Sequence, residues 1–297
     1  ATLYAMLVSV PLALLSAVYV SQLAPEWLRS VVKPSVELMA AVPSVIVGFV
    51  AALWLAPRLE SFLFPALLTA ASLPAAIFVS AAGVRLLPRP IRSRVPRGSE
   101  LAFVVVGGAF VVVLVALAAN PLEHWLFRGD FPRFLFSEFG IRYDQRNALV
   151  VGLALGFAVI PIIFTVAEDA CSAVPKSLIR AARALGATRW QAAMRLVLPA
   201  ATPGLVAAVM LGLGRAVGET MIVLMAAGNT PILDLLPVNG MRTMAAAIAF
   251  EIPEAAIGGT LYRVLFLVGC LLFAVSFVFT TTADIVGRKL RKRYARL

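Results

Sequence analysis

Residues 167–228 read AEDACSAVPKSLIRAARALGATRWQAAMRLVLPAATPGLVAAVMLGLGRAVGETMIVLMAAG, and this stretch decides how the rest of the chain is read. One apolar run ends at Ala167. A polar, basic segment follows from Glu168 to Pro203, and a second apolar run, Gly204–Gly228, carries Arg215 and Glu219 within it. The polar segment predicts two short helices joined by a hinge. Pro175 suits a first helical position, and Leu178, Ala182 and Leu185 recur at i, i+4 and i+7, with Lys176, Arg180 and Arg183 on the other side. Gly186 stops that helix. Thr188 and Gln191 have the spacing of a capping box, each side chain answering the other's backbone N–H. They open a second helix with an apolar stripe of Trp190, Met194 and Val197 that runs to Pro199.

Working outward, the chain of 297 residues is 61% hydrophobic, with mean hydropathy +0.95, far above a water-soluble domain, where about half apolar is usual. The fold class expected is an all-α integral membrane protein, a polytopic helical bundle. Seven runs have the apolar length to cross a bilayer, for which about 20 residues at 1.5 Å rise suffice: 2–21, 43–57, 62–87, 101–119, 147–167, 204–228 and 261–285. The chain opens inside an apolar run without an initiator methionine, so it is expected to be the C-terminal part of a longer chain with at least one further span upstream.

The net charge of +11 does not point to nucleic acid, because the basic residues fall between spans and in the tail. Strict alternation from the 168–203 loop puts 22–42, 85–100 and the tail from 286 on the same side as that loop. Of the 26 Lys and Arg, Arg58, Arg128, Arg133, Arg142, Arg146, Arg242 and Arg263 fall on the opposite side, and Arg215 lies in a span. The other 18 share the loop's side, which the positive-inside rule makes cytoplasmic. Pro25 and Pro34 flank an amphipathic segment, with Trp27, Leu28, Val31 and Val32 at helical spacing, that reads as an interfacial connector. The arginine- and proline-rich loop 85–97 precludes a long helix, and residues 120–146 hold seven aromatic residues among charges, an interfacial cluster at the outer surface. His124 within it has no partner at metal-ligand spacing, and Cys171 and Cys270 show no metal or redox spacing, so no metal site is expected. Gly152-x-x-x-Gly156 and Gly214-x-x-x-Gly218 predict close helix approach.

Arg215 and Glu219 stand four apart on what reads as one helix face near mid-span. A charge at that depth costs about 2.5–3.5 kcal/mol even on the lenient insertion scale, so both must face protein or water. They are assigned to a translocation path for an anion: Arg215 supplies forked donors, and Glu219 neutralises it when the path is empty. Thr220 is assigned to the same path. Thr243 is a further hydroxyl donor, though an ordinary helix role explains it more simply.

The spacing from Gly186 through nine residues to Leu196-Val197-Leu198-Pro199 resembles the cytoplasmic EAA loop of ABC importer permeases. The loop's line here is Arg180-Ala181-Ala182-Arg183-Ala184-Leu185-Gly186, with Arg180 where that family usually carries Glu. The run from Leu211 to Asn229, together with Met241-Arg242-Thr243 and Tyr262-Arg263-Val264, is similar to the PstC-like permease subunits of phosphate importers. The resemblance leaves out about residues 58–140. It implies a single permease domain over 1–297, with two extra spans and loops inserted at about 58–146 and a coupling loop at 168–203. Arg180, Ala181, Ala182, Leu185, Gly186, Leu198 and Pro199 would then contact a separate ATPase.

The chain has no G-x-x-x-x-G-K-[ST] motif, so it is read as a transport subunit rather than an enzyme, with ATP and Mg²⁺ bound by the partner ATPase and no cofactor of its own. The resemblance further implies a second, PstA-like permease, an external phosphate-binding protein and a place in the bacterial inner membrane, with the loop and the C-terminal tail cytoplasmic. A permease for sulfate or molybdate is the near alternative, since Arg and Glu alone do not choose between tetrahedral anions. A secondary transporter, which calls for inverted repeats with broken helices in both halves, or a membrane scaffold stands further off.

Overall fold

A computed structural model describes residues 1–86, 100–232 and 236–294, and they are helical almost throughout, with no strand among them. The arginine-rich segment 87–99 lies outside the described residues, as do the side chains of Arg85 and of the tail from residue 286. Six described stretches are long and apolar enough to cross a membrane: Thr2–Leu23, Ser44–Ser61, Val106–Phe139, Ala148–Ser172, Arg189–Gly218 and Thr260–Thr282. The seventh expected span is helical over Leu63–Leu86, but its apolar described run, Leu63–Ala75, falls short of that length. The chain divides into two compact units, one made of Ala1–Ala56 with Asp144–Leu297 and the other of Pro57–Tyr143.

In the first unit, helix α1 (Thr2–Val18) ends in a widened turn, Tyr19–Leu23, closed by Ala24 N–H on Tyr19 O at 2.9 Å. Helix α2 (Glu26–Ala40) follows, and then α3 (Ser44–Val50), which ends in a second wide turn, Ala51–Leu55. The second unit contains α4 (Ala56–Ser61) from Pro57 on, α5 (Leu63–Leu86), α6 (Glu100–Phe127) and α7 (Phe131–Phe139). Helix α6 runs eight residues past its expected end, through Pro121, into what reads from sequence as loop. At its far end Phe127, Phe131 and Phe134 of the expected aromatic group cluster with Phe64, which was not foreseen, at ring centroids 4.6–6.4 Å apart, while Trp125 and Phe136 are exposed. His124 lies against the turn at Gly129, whose φ of +84° needs glycine.

The first unit resumes with α8 (Ala148–Ser172), and 56% of its apolar stretch is buried within the chain, which makes it the central helix. Its N-cap Asn147, fully buried, accepts Val150 N–H at 2.9 Å. Helix α1 packs along α8 because Gly152 and Gly156 leave room. A Cβ on Gly152 would stand 2.6 Å from Tyr4 Cβ, and one on Gly156 3.2 Å from Ala5 O. Gly214 and Gly218, at the same spacing, have no neighbouring atom within 4 Å of where their Cβ would be, so that pair makes no close approach among the described residues.

Helix α9 (Lys176–Ala184) and α10 (Arg189–Ala192) form the loop. A wide turn, Ala193–Val197, then leads straight into α11 (Leu198–Gly218). The second loop helix therefore does not stop at Pro199. Pro199 has no N–H to give, and it follows directly on the widened turn, which Leu198 N–H closes on Ala193 O, so Arg189–Gly218 is one helical run. After α11 come α12 (Met221–Ala226), α13 (Met244–Glu251) and α14 (Thr260–Tyr294). Only 6% of the apolar stretch of α14 is buried, so that helix turns most of its surface away from the chain.

Candidate functional site

Arg215 and Glu219 are brought together, but on a broken helix. Helix α11 ends at Gly218. Glu219 is extended at ψ 123°, and α12 restarts behind Thr220. The sequence reading of one continuous face is corrected here: three glycines, Gly212, Gly214 and Gly218, weaken the last two turns of α11 by about 1 kcal/mol each relative to alanine, and the helix yields at the third. The signal was present in Gly218 as a stop and Thr220 as a start, but unbroken hydropathy masked it. Arg215 Nη2 lies 4.0 Å from Glu219 Oε2, an ion pair longer than a hydrogen bond. The Arg215 side chain is 50% exposed and that of Glu219 only 8%. Ile222 N–H points to Glu219 Oε1 at 3.5 Å. Thr220 does not offer its proton to the site, because its hydroxyl donates to Gly218 O across the break at 3.3 Å.

Arg215 opens on a cavity of about 80 Å³ lined by Met39, Ala40, Val42, Ser44 and Val47, and by Phe157, Ala158 and Ile162 of α8. Those α8 residues lie near the middle of a 25-residue helix, so Arg215 faces the middle of α8, although it stands in the last turn of the Arg189–Gly218 stretch and not at that stretch's own middle. Helix α3 closes on α12 beside it: a Cβ on Gly48 would meet Ile222 Cα at 3.0 Å. A half-exposed guanidinium with a recessed carboxylate behind it is suited to receive an anion briefly and release it. Thr243 is the N-cap of α13, accepting Ala246 N–H at 3.2 Å, which settles it as a helix residue.

A second charged group was not foreseen. Glu168, fully buried in the last turn of α8, is gripped by helix α2. Its Oε1 accepts from Arg29 Nη2 at 2.5 Å and from Ser172 Oγ at 2.7 Å, and its Oε2 accepts from Lys33 Nζ at 3.0 Å. Arg29 also donates to Ser172 Oγ at 2.7 Å, and Lys33 to Asp169 Oδ1 at 2.9 Å. The hydrogen bonds to Asp169 and Glu168 hold the Lys33 ammonium above the ordinary lysine range. Helix α2 thus does more than connect. Arg29 and Lys33 bind the foot of α8, Met39 and Ala40 reach the cavity at its middle, and Trp27, Val31 and Leu38 are left outward. The spacing of Arg29 and Lys33 at i, i+4 was the available signal.

The loop has the expected form. Thr188 and Gln191 exchange both capping-box bonds, at 2.9 and 3.1 Å, and Gly186 sits at φ +92° with open space around it. Arg180, Ala181 and Leu185 are exposed, Ala182 and Leu198 half-buried, Pro199 exposed. Leu178 at 50% exposed, Leu185 at 91% and Trp190 at 58% are apolar side chains that the described residues leave uncovered, while Val197 is buried and anchors the second helix. On the side of α8 away from this loop, Gly240 N–H donates to Asp144 Oδ2 at 2.9 Å and Leu149 N–H to Pro237 O at 2.8 Å, which ties the segment after α12 to the start of α8.

The chain is 28% identical over 296 residues to the phosphate transport system permease protein PstC of Pasteurella multocida, covering 98% of this chain and 72% of that protein. It is 25% identical over 278 residues to the probable ABC transporter permease protein YqgH of Bacillus subtilis, covering 94% and 65%. With PstC 1 of Mycobacterium tuberculosis the identity is 37% over 164 residues, covering 52% and 47%. No solved structure matches the chain. A family model described as the binding-protein-dependent transport system inner membrane component matches residues 9–292, a range that contains the Glu168 node, the loop and the broken helix. The chain belongs to that family, as a multi-pass membrane subunit of a transport system.

Proposed function

We propose that this chain is the PstC-type permease subunit of an ATP-driven phosphate importer in the bacterial inner membrane. The observation that carries this reading is Arg215, half-exposed beside a helix break with Glu219 recessed 4.0 Å behind it. The curated relatives named as phosphate permeases support the choice of anion. Phosphate arriving at the cavity takes the forked donors of Arg215 in place of Glu219, and Glu219 regains the guanidinium as the anion leaves, so the site never becomes a permanent anion trap. Thr220 serves the path by holding the break through Gly218 O.

In this reading residues 168–203 and the C-terminal tail are cytoplasmic. Arg180, Ala181, Ala182, Leu185 and Gly186 dock an ATPase subunit, with Leu198 and Pro199 at the base of the docking helices. ATP and Mg²⁺ are held by that subunit. A second, PstA-like permease completes the path, and an external phosphate-binding protein delivers the anion. Residues 1–297 form one permease domain, into which about 58–146 is inserted.

The test is ATP-dependent uptake of labelled phosphate by the assembly reconstituted in proteoliposomes, with sulfate and molybdate as competitors. Phosphate should be taken up against an excess of either, and Arg215→Gln should lose uptake at an unchanged level of protein. Equal uptake and equal competition in Arg215→Gln would remove the site. Sulfate or molybdate displacing phosphate at equal concentration would change the substrate.

A further inference from the structure

We propose that Glu168 is a positioning residue that carries movement of the docking loop to Arg215, with α2 as the connecting arm. The inference rests on the reading of α9 and α10 as the ATPase-docking loop. Glu168 stands four residues before the end of α8, and that end is the root of the loop: Ser172 closes α8, Val174 is buried, and Lys176 opens α9. Both carboxylate oxygens are committed, one to Arg29 and Ser172 and the other to Lys33, so any shift of this root pulls on two side chains of α2 at once. From Arg29 to Ala40 the helix rises about 16 Å, and its far end, Met39 and Ala40 with Val42 and Ser44 beyond, forms one wall of the cavity onto which Arg215 opens.

A contact made of apolar side chains would hold α2 against α8 as well, or better, since burying ions costs several kcal/mol per charge before pairing restores it. It would also allow sliding. Two donors of α2 on the two oxygens of one buried carboxylate fix both register and distance, which an arm needs and a packing contact does not supply. Trp27, Val31 and Leu38 are exposed, so on that face α2 can follow the foot of α8 without displacing another described side-chain layer.

The experiment uses the reconstituted importer with all partner subunits and reads phosphate moved per ATP hydrolysed. Glu168→Gln keeps the shape and removes the charge. Its ratio should fall by about fivefold or more, the lower end of ordinary coupling between sites, while its ATPase rate per assembled complex and its phosphate retention at Arg215 stay at parent values. A purely structural role would instead lower the amount of complex and leave the ratio alone. Lys33, 35% exposed, gives a milder pair should Glu168→Gln fail to assemble: Lys33→Met should lower the ratio and Lys33→Arg should preserve it. Parent ratios in Glu168→Gln, or in Lys33→Met where the first does not assemble, would overturn the proposal. Uncoupling by a Gly186 substitution with no effect at Glu168 or Lys33 would leave the docking loop standing and remove the arm. Absence of ATP-dependent uptake by the parent assembly would remove the functional reading itself, and the arm with it.

Discussion

Glu219→Gln isolates the counter-ion at the helix break. Glutamine keeps the volume and an oxygen for Ile222 N–H, so the 8% exposed site is not emptied, while the charge facing Arg215 disappears. At 4.0 Å two unit charges interact by about 4 kcal/mol at an effective dielectric of about 20. The 50% exposure of Arg215 cuts this towards the value of exposed pairs, up to about 1 kcal/mol, and a working range of about 1–2 kcal/mol follows. That is about five- to thirtyfold in an equilibrium. Without its competitor the guanidinium should hold phosphate more tightly by this factor. The purified assembly, free of binding protein, should retain labelled phosphate with a Kd lower by five- to thirtyfold, and maximal uptake should fall by a similar factor because release is slowed. The double variant with Arg215→Gln should lose less than the two single losses combined, as groups acting as one pair do. Slower uptake with unchanged or weaker phosphate retention would refute the counter-ion argument.

The remaining expectations concern the loop and the helix packing. Gly186→Val forces a β-branched residue to φ +92°, at a cost of about 1–3 kcal/mol, and should lower phosphate moved per ATP with the protein still in the membrane; Gly186→Asn, which tolerates the left-handed region, should do so far less. Parent coupling in Gly186→Val would exclude a hinge there. Gly152→Ala should lower thermal stability in detergent by about 1–3 kcal/mol, because Tyr4 Cβ, 2.6 Å from the new methyl, moves only if α1 moves. Gly214→Ala, with open space, should be neutral or stabilising by up to about 1 kcal/mol in the isolated chain. Equal melting of the two variants would mean that α1 and α8 do not approach as described.

What was legible in the sequence followed from local rules. The helix stop at Gly186 and the box of Thr188 and Gln191 are written within six residues, and backbone geometry has few other ways to use them. The apolar spans were legible because a bilayer sets their length, although hydropathy says nothing of a break inside a span, and so Gly204–Gly228 read as one helix. Pairs of glycines were legible only as a permission. Gly152 and Gly156 use it against α1, whereas Gly214 and Gly218 do not among the described residues, and the difference lies in which helix arrives alongside.

The two buried glutamates show where local reading stops. Glu168 and Glu219 each follow an apolar run and each would be costly alone in a low-dielectric interior. Glu168 has hydrogen bonds from Arg29 and Lys33, 139 and 135 residues away in sequence, so no window along the chain could have paired them. Fully satisfied, it can act only as a fastening. Glu219 has one cation at 4.0 Å and one N–H at 3.5 Å, both too long to satisfy a carboxylate. In the proposed reading, that shortfall leaves Arg215 free to exchange its partner for a passing anion. The two proposals, one for transport and one for coupling, thus rest on the same residue type, told apart by the number of donors the fold brings to each.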